Sequence, residues 1–238
     1  MTSDRLTEYA DADHDWLNEH EARSVLREYD IPCSKDVFLS YEQGKTGEEY
    51  LREVQAETDP PDFPVYAKVV SGSIPSISDA GGVERIGSAA EFPAAVERVL
   101  RNVAETHSPA AIQGVIATAD VAGDRRELFL GGGVDPQFGT IVSLGVGGIY
   151  VEAYRDVEFR LVPIDAADVR EMLAELEGRT ILDEFRGMAP VDEGALIGVV
   201  EAFSQMLADH PEITEADINP LMAGPDRTVA ADALIRLD

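Results

Sequence analysis

The sequence has one cysteine, Cys33, and only three lysines, Lys35, Lys45 and Lys68. A single thiol excludes an internal disulfide and any cysteine–metal cluster, which leaves Cys33 a packing role after a helix. Four histidines, His14, His20, His107 and His210, lie in polar, helix-edge or tail contexts without a Ser–His–Asp order or metal-ligand spacing. No apolar run is long enough for a membrane-spanning helix. Neither a Walker A pattern nor a Rossmann glycine fingerprint occurs.

Basic charge is the larger deficit. Nineteen basic residues face 46 acidic ones, a formal net charge of −27. A chain this acidic repels nucleic acid, whose binding needs a basic footprint, and anionic membrane surfaces as well. Counter-ions in concentrated salt screen such self-repulsion, so the composition fits a halophilic, cytoplasmic protein; an ordinary acidic soluble protein is the plainer alternative. Met1 to Asp15 is polar and acidic without a signal pattern, and reads as a weakly ordered leader.

Hydrophobic residues make up 45% of the 238, enough for one globular unit or two small lobes. Asn18–Glu21 and Thr46–Glu49 have capping-box spacing ahead of helical apolar periodicity, and Ser88–Glu91 repeats it before Phe92, Val96, Val99 and Val103. Helices are also expected over 166–177, closed by a left-handed Gly178, and over 193–208. Strands are expected over 63–70, 111–117, 127–130, 140–144 and 228–231. Strands and helices intermix without strict alternation, which favours an α+β fold. The division expected is a leader at 1–15, an N-terminal lobe at 16–113 and a C-terminal lobe at 114–238.

Several residues could carry chemistry. Lys68 interrupts an apolar strand, where an ammonium without an anionic partner is costly, so it reads as a phosphate ligand or as a lysine reaching the sheet edge. The serine- and glycine-rich loop 71–83, with Gly72, lets backbone N–H groups approach phosphate oxygens, although such loops are often plain turns. Glycines dominate 131–133 and 145–148, where strand ends allow close approach of a ligand or of another backbone. Asp217-Ile218-Asn219-Pro220, ahead of a strand carrying Asp232, offers hard oxygen ligands of the kind magnesium takes, or a turn.

These pieces, in order, resemble one family. Tyr29–Pro32, Pro64–Val69, Ser78–Val83, Asp135–Gly139, Leu144–Glu152, Phe159–Pro163, Arg186-Gly187 and Asp217–Leu221 are similar to the ATP-grasp domain of NDP-forming acyl-CoA synthetases. These include the beta subunits of ADP-forming acetyl-CoA synthetases and, more distantly, of succinyl-CoA synthetases. The resemblance implies an ATP-grasp fold, with two α+β lobes and a nucleotide cleft between them. It implies ATP or ADP with Mg2+, contacts from Lys68, Gly72, Glu127, Gly147 and Gly148, and magnesium ligands at Asn219 and Asp232. It implies a hetero-oligomer with a CoA-binding alpha subunit whose histidine carries the phosphoryl group.

The sequence departs from the acetyl-type pattern at three places. Ser76 and Ile77 stand where that type has His-Lys, no glutamate occurs around Thr118-Ala119, and Gly133-Val134 replace Lys-Arg. At Ala117–Asp120 and Arg126–Leu130 the chain is closer to the succinyl type, which takes phosphate directly from its partner. The alternative is a non-catalytic paralogue serving as a nucleotide-binding or regulatory subunit.

Overall fold

The computed structural model describes residues 6, 9, 16–74, 77–121, 123–148 and 156–237. Ser76, Glu152 and most of the 1–15 leader lie outside the described residues. The chain divides into two compact units, Ser34–Asp120 and the remainder, Met1–Cys33 with Val121–Asp238.

This differs from the division at 113/114 read from the sequence. Gly114–Ala119 is an inner strand of the small unit, hydrogen-bonded on both sides, so the small unit must include it. The N-terminal segment belongs with the other unit because its first helix buries Ala22, Val25 and Leu26 in that unit's core. Leu6 is 2% exposed in the same core and Tyr9 packs against it, so part of the stretch read as a leader is anchored.

The small unit is a four-stranded antiparallel sheet in the order β2-β5-β3-β4: β2 (Asp36–Ser40), β5 (Gly114–Ala119), β3 (Val65–Val70) and β4 (Val83–Ile86). Helices α2 (Gly47–Ala56) and α3 (Phe92–Thr106) close over one face, burying Tyr50, Val54, Phe92 and Val96 against Val65 and Ala67. Thr46 caps α2 as its spacing predicts, with reciprocal bonds to Glu49. The box expected at Ser88–Glu91 does not form. That stretch is a turn in which Ser88 Oγ donates to the Glu91 carboxylate, and α3 starts one residue later with proline in its first turn.

The larger unit carries an antiparallel sheet in the order β1-β11-β9-β6-β7-β8, with β10 also paired to β9. Its strands are β1 (Trp16–Leu17), β6 (Arg126–Asp135), β7 (Gly139–Val146), β8 (Val157–Leu161), β9 (Ile213–Ala223), β10 (Thr228–Ala230) and β11 (Leu234–Leu237). Helices α1 (Glu19–Glu28), α4 (Ala166–Glu175) and α5 (Glu193–Asp209) contribute its core with Leu128, Leu130, Val142, Leu144, Ile218 and Leu221. Alternate residues of β6, β7 and β9 point into this core, and the intervening ones form the sheet's second face.

Two expectations here are corrected. Gly178 has φ −79, so it is no left-handed cap; it is small because a Cβ would stand 2.8 Å from Val146 and 2.9 Å from Asp156. Its N–H donates to Asp156 Oδ2 at 2.7 Å. Asp217–Pro220 is no turn either, since it lies within the eleven-residue β9, where burial of Ile218 and Leu221 outweighs local turn preference.

Candidate functional site

Lys68 lies in β3 between Val83 of β4 and Ile116 of β5, with its side chain half-buried on the face opposite α2 and α3. Alternation forces this, because Ala67 and Val69 must face the helices. Gly72 follows directly in a bend where the Ser73 N–H donates to Ser71 Oγ at 3.2 Å. The rest of the loop is anchored: Ile74 and Ile77 are buried with Val99 and Val103, and Asn102 donates to the Gly81 carbonyl. Of the expected site residues, Lys68 and Gly72 belong to the small unit and the other five to the larger one.

In the larger unit, Glu127 is exposed on the second face of β6, and its backbone is wrapped by the glycines of the β7 end. Gly147 donates its N–H to the Glu127 carbonyl at 2.7 Å, and a Cβ on Gly147 would stand 2.7 Å from that carbonyl carbon. Gly148 has φ +79, where a side chain is strained. A Cβ there would lie 3.2 Å from Glu127 Oε2. The glycine run therefore permits close approach of Gly147 and Gly148 to Glu127, and the Gly147 N–H is already engaged.

Asn219 and Asp232 are brought together by register. Ala230 faces Leu221 on β10, Leu234 faces Asp217 on β11, and the Ala231 N–H bonds to the Pro220 carbonyl. The bend 231–233, itself outside the ladder, therefore lies alongside Ile218–Pro220, and the register on either side sets Asp232 opposite Asn219. The bend is pinned from behind: Arg23 of α1, with no exposed surface, donates to the Ala231 carbonyl at 2.5 Å, and the Ala230 N–H bonds to the Pro32 carbonyl.

An amide oxygen and a carboxylate are hard donors, the chemistry magnesium selects. Among the described residues no group of three or more His, Cys, Asp or Glu side chains is set to hold a metal. The donor set therefore fits an ion that completes its shell with water and phosphate oxygens.

Sequence reasoning took Asp217 only as part of a ligand or turn motif and gave Arg126 no anchoring role. Asp217 stands beside Gly131 in the ladder, where a Cβ would lie 2.9 Å from Asp217 Oδ1. Burial, with the Glu215 carboxylate adding to it, pushes the Asp217 carboxyl up to about 6. Arg126, 5% exposed, points to the opposite face from Glu127 and donates to the carbonyls of Ile181, Asp183 and Ala189. It ties down both arms of the hairpin around Arg186 and Gly187, whose φ values are +51 and +83. The signal was a charged residue at an inward position of an otherwise apolar strand.

The chain belongs to the ATP-grasp domain family, whose model matches residues 8–237. It is 35% identical over 229 residues to the beta subunit of acetate–CoA ligase [ADP-forming] I of Pyrococcus furiosus, covering 96% of this chain and 94% of that one. It is 32% identical over 207 residues to 4-hydroxybutyrate–CoA ligase [ADP-forming] of Nitrosopumilus maritimus, of whose length the match takes in 28%. Among solved structures, the acetyl-coenzyme A synthetase 1 of Ca. Korarchaeum cryptofilum, in complex with coenzyme A and Ca-AMPCP, superposes with a TM-score of 0.87. That structure is 32% identical and covers 99% of this chain. The chain is thus a homologue of beta-type subunits of ADP-forming acyl-CoA ligases.

Proposed function

We propose that the chain is the nucleotide-binding, beta-type subunit of an ADP-forming acyl-CoA synthetase. It moves a phosphoryl group between a histidine of a CoA-binding alpha partner and ADP. In the ATP-forming direction the partner's N–P bond breaks and an O–P bond to the β-phosphate of ADP forms. The residues that serve this step orient and neutralise charge, which is most of what phosphoryl transfer demands of a protein. The Lys68 ammonium binds phosphate oxygens, with N–H groups of the loop at Gly72 beside it. Glu127, held by Gly147 and Gly148, orients the nucleotide.

Asn219 and Asp232 hold Mg2+, which supplies positive charge to the phosphates when bound. The observation that supports the reading is the register of β9 with β10 and β11, which sets the bend holding Asp232 opposite Asn219. With Ser76 in place of a loop histidine, the phosphoryl group comes straight from the partner. The acidic surface suits a cytoplasm rich in salt.

The test is reconstitution with a CoA-binding partner subunit and assay of ATP formation from an acyl-CoA, phosphate and ADP. Activity that requires both subunits and Mg2+ is expected. A reconstituted complex that binds nucleotide yet never forms ATP contradicts the reading.

A further inference from the structure

Strand β8 ends the large sheet, and among the described residues its only ladder is with β7. The ladder bonds fix which way its backbone points. Val162 donates to the Thr140 carbonyl at 3.0 Å and Val146 to the Asp156 carbonyl at 3.2 Å, so even-numbered residues bond toward β7. Antiparallel alternation then turns the N–H and C=O groups of Val157, Phe159 and Leu161 outward. The same three residues carry the apolar side chains of the strand. Phe159 and Leu161 are each 55% exposed, two of the large hydrophobic side chains that the described surface leaves open. An edge whose outward backbone groups join no ladder among the described residues, with exposed apolar side chains beside them, is a template for another strand.

We infer that the occupant is a second copy of this chain, paired antiparallel through β8 about a two-fold axis at Phe159. The sequence Val157-Glu158-Phe159-Arg160-Leu161 is self-complementary in that arrangement. Phe159 faces its own copy, Val157 faces Leu161, and Glu158 faces Arg160, so apolar meets apolar and acid meets base at every position. An isologous interface requires this property. In the single chain Arg160 Nη2 binds Glu175 at 2.7 Å, and Arg160 Nη1 donates to the Phe159 carbonyl at 2.9 Å. Pairing gives that carbonyl the N–H of the partner's Phe159 and brings Arg160 to the partner's Glu158. A charge of −27 on each copy opposes association in dilute salt. At about 1 M salt the screening length falls to ~3 Å, so the pairing belongs to concentrated salt. The inference stands on the strand register and does not depend on the nucleotide chemistry proposed above.

The experiment uses the full chain with Cys33→Ser, which removes the only native thiol. Residues facing each other in a hydrogen-bonded antiparallel pair have Cα atoms about 5.5 Å apart, within disulfide range. Phe159→Cys is therefore expected to cross-link to its own copy under mild oxidation in about 2 M KCl, where screening is nearly complete. Leu161→Cys alone is expected to stay uncross-linked, and Val157→Cys with Leu161→Cys to cross-link. Light scattering of the unaltered chain in the same salt is expected to give twice the chain mass. Circular dichroism confirms that each variant, altered at an exposed or half-exposed site, keeps its fold. A single-chain mass in high salt, or equal cross-linking of Phe159→Cys and Leu161→Cys, overturns the inference. So does a monomer whose Phe159→Glu variant loses only its CoA-binding partner, which would assign β8 to that partner.

Discussion

Arg23 donates its Nη2 to the carbonyl of Ala231, 208 positions away in sequence, at 2.5 Å. It is the buried cation that ties the first helix to the bend carrying Asp232, and it pairs with Glu19 one turn earlier. Removing one member of a buried pair leaves the other's charge uncompensated, at about 3–5 kcal/mol. Arg23→Leu is therefore expected to lower the urea midpoint sharply, and Arg23→Leu with Glu19→Leu to recover much of the loss. Equal losses in the single and double variants would show that the pair is not coupled.

Arg126 makes a second demand of this kind. Its guanidinium reaches carbonyls on both arms of the 181–189 segment, a span that only a planar fork of donors covers. Arg126→Ala removes three hydrogen bonds from a buried guanidinium to part-buried carbonyls, each bond to a charged group contributing about 1.5–3 kcal/mol at most, and Arg126→Lys is expected to restore only part of the stability. Hydrogen exchange should localise the loss to residues 181–189. Full rescue by lysine would contradict the geometry.

Asp217 sets a pH dependence. Its folded carboxyl titrates at about 6 against an ordinary 3.8, because burial and Glu215 disfavour the charged form. The folded state therefore binds this proton more tightly than the unfolded state does. The stability it contributes is complete below about pH 4 and is lost as pH rises through about 6. In chelator-treated buffer, Asp217→Asn is expected to raise the melting temperature relative to wild type at pH 8, and to raise it less at pH 4.5. A difference that does not change with pH would refute the assignment.

The parts of the fold legible in the sequence were those carried by local chemistry. The boxes at Asn18 and Thr46 cap helices as their spacing predicts, and the inward set Leu196, Val199, Val200, Phe203 and Met206 of α5 is buried. The order of family motifs led to the correct fold. Topology was not legible, because nothing local to Gly114–Ala119 says that it is inserted between β2 and β3. Asn219 and Asp232 were both visible as ligand types, but only the β9–β10–β11 register sets the one opposite the other. Gly178 misled for a related reason: a glycine after a helix signals a left-handed cap, whereas here it is excluded volume against Val146 that demands it. Arg126 and Arg23 were not read as anchors, because the carbonyls they bind carry no side-chain signature, although the inward place of Arg126 and the one-turn spacing of Arg23 from Glu19 were visible.

The magnesium role proposed for Asn219 and Asp232 predicts a conditional effect. Asn219→Ala and Asp232→Ala are expected to weaken ATP binding by about 1–3 kcal/mol with Mg2+ present, the scale of a lost charged contact, and to change it little in EDTA. Titration calorimetry with and without the metal separates the two cases. A loss of the same size in EDTA would remove both residues from the metal site.

The phosphate role proposed for Lys68 is tested most directly by calorimetry of ATP and ADP binding in concentrated salt. The chain is expected to bind with Mg2+, and Lys68→Ala to weaken that binding roughly tenfold or more while its melting temperature stays within a few degrees of wild type. Undiminished binding by a folded Lys68→Ala chain would contradict the account.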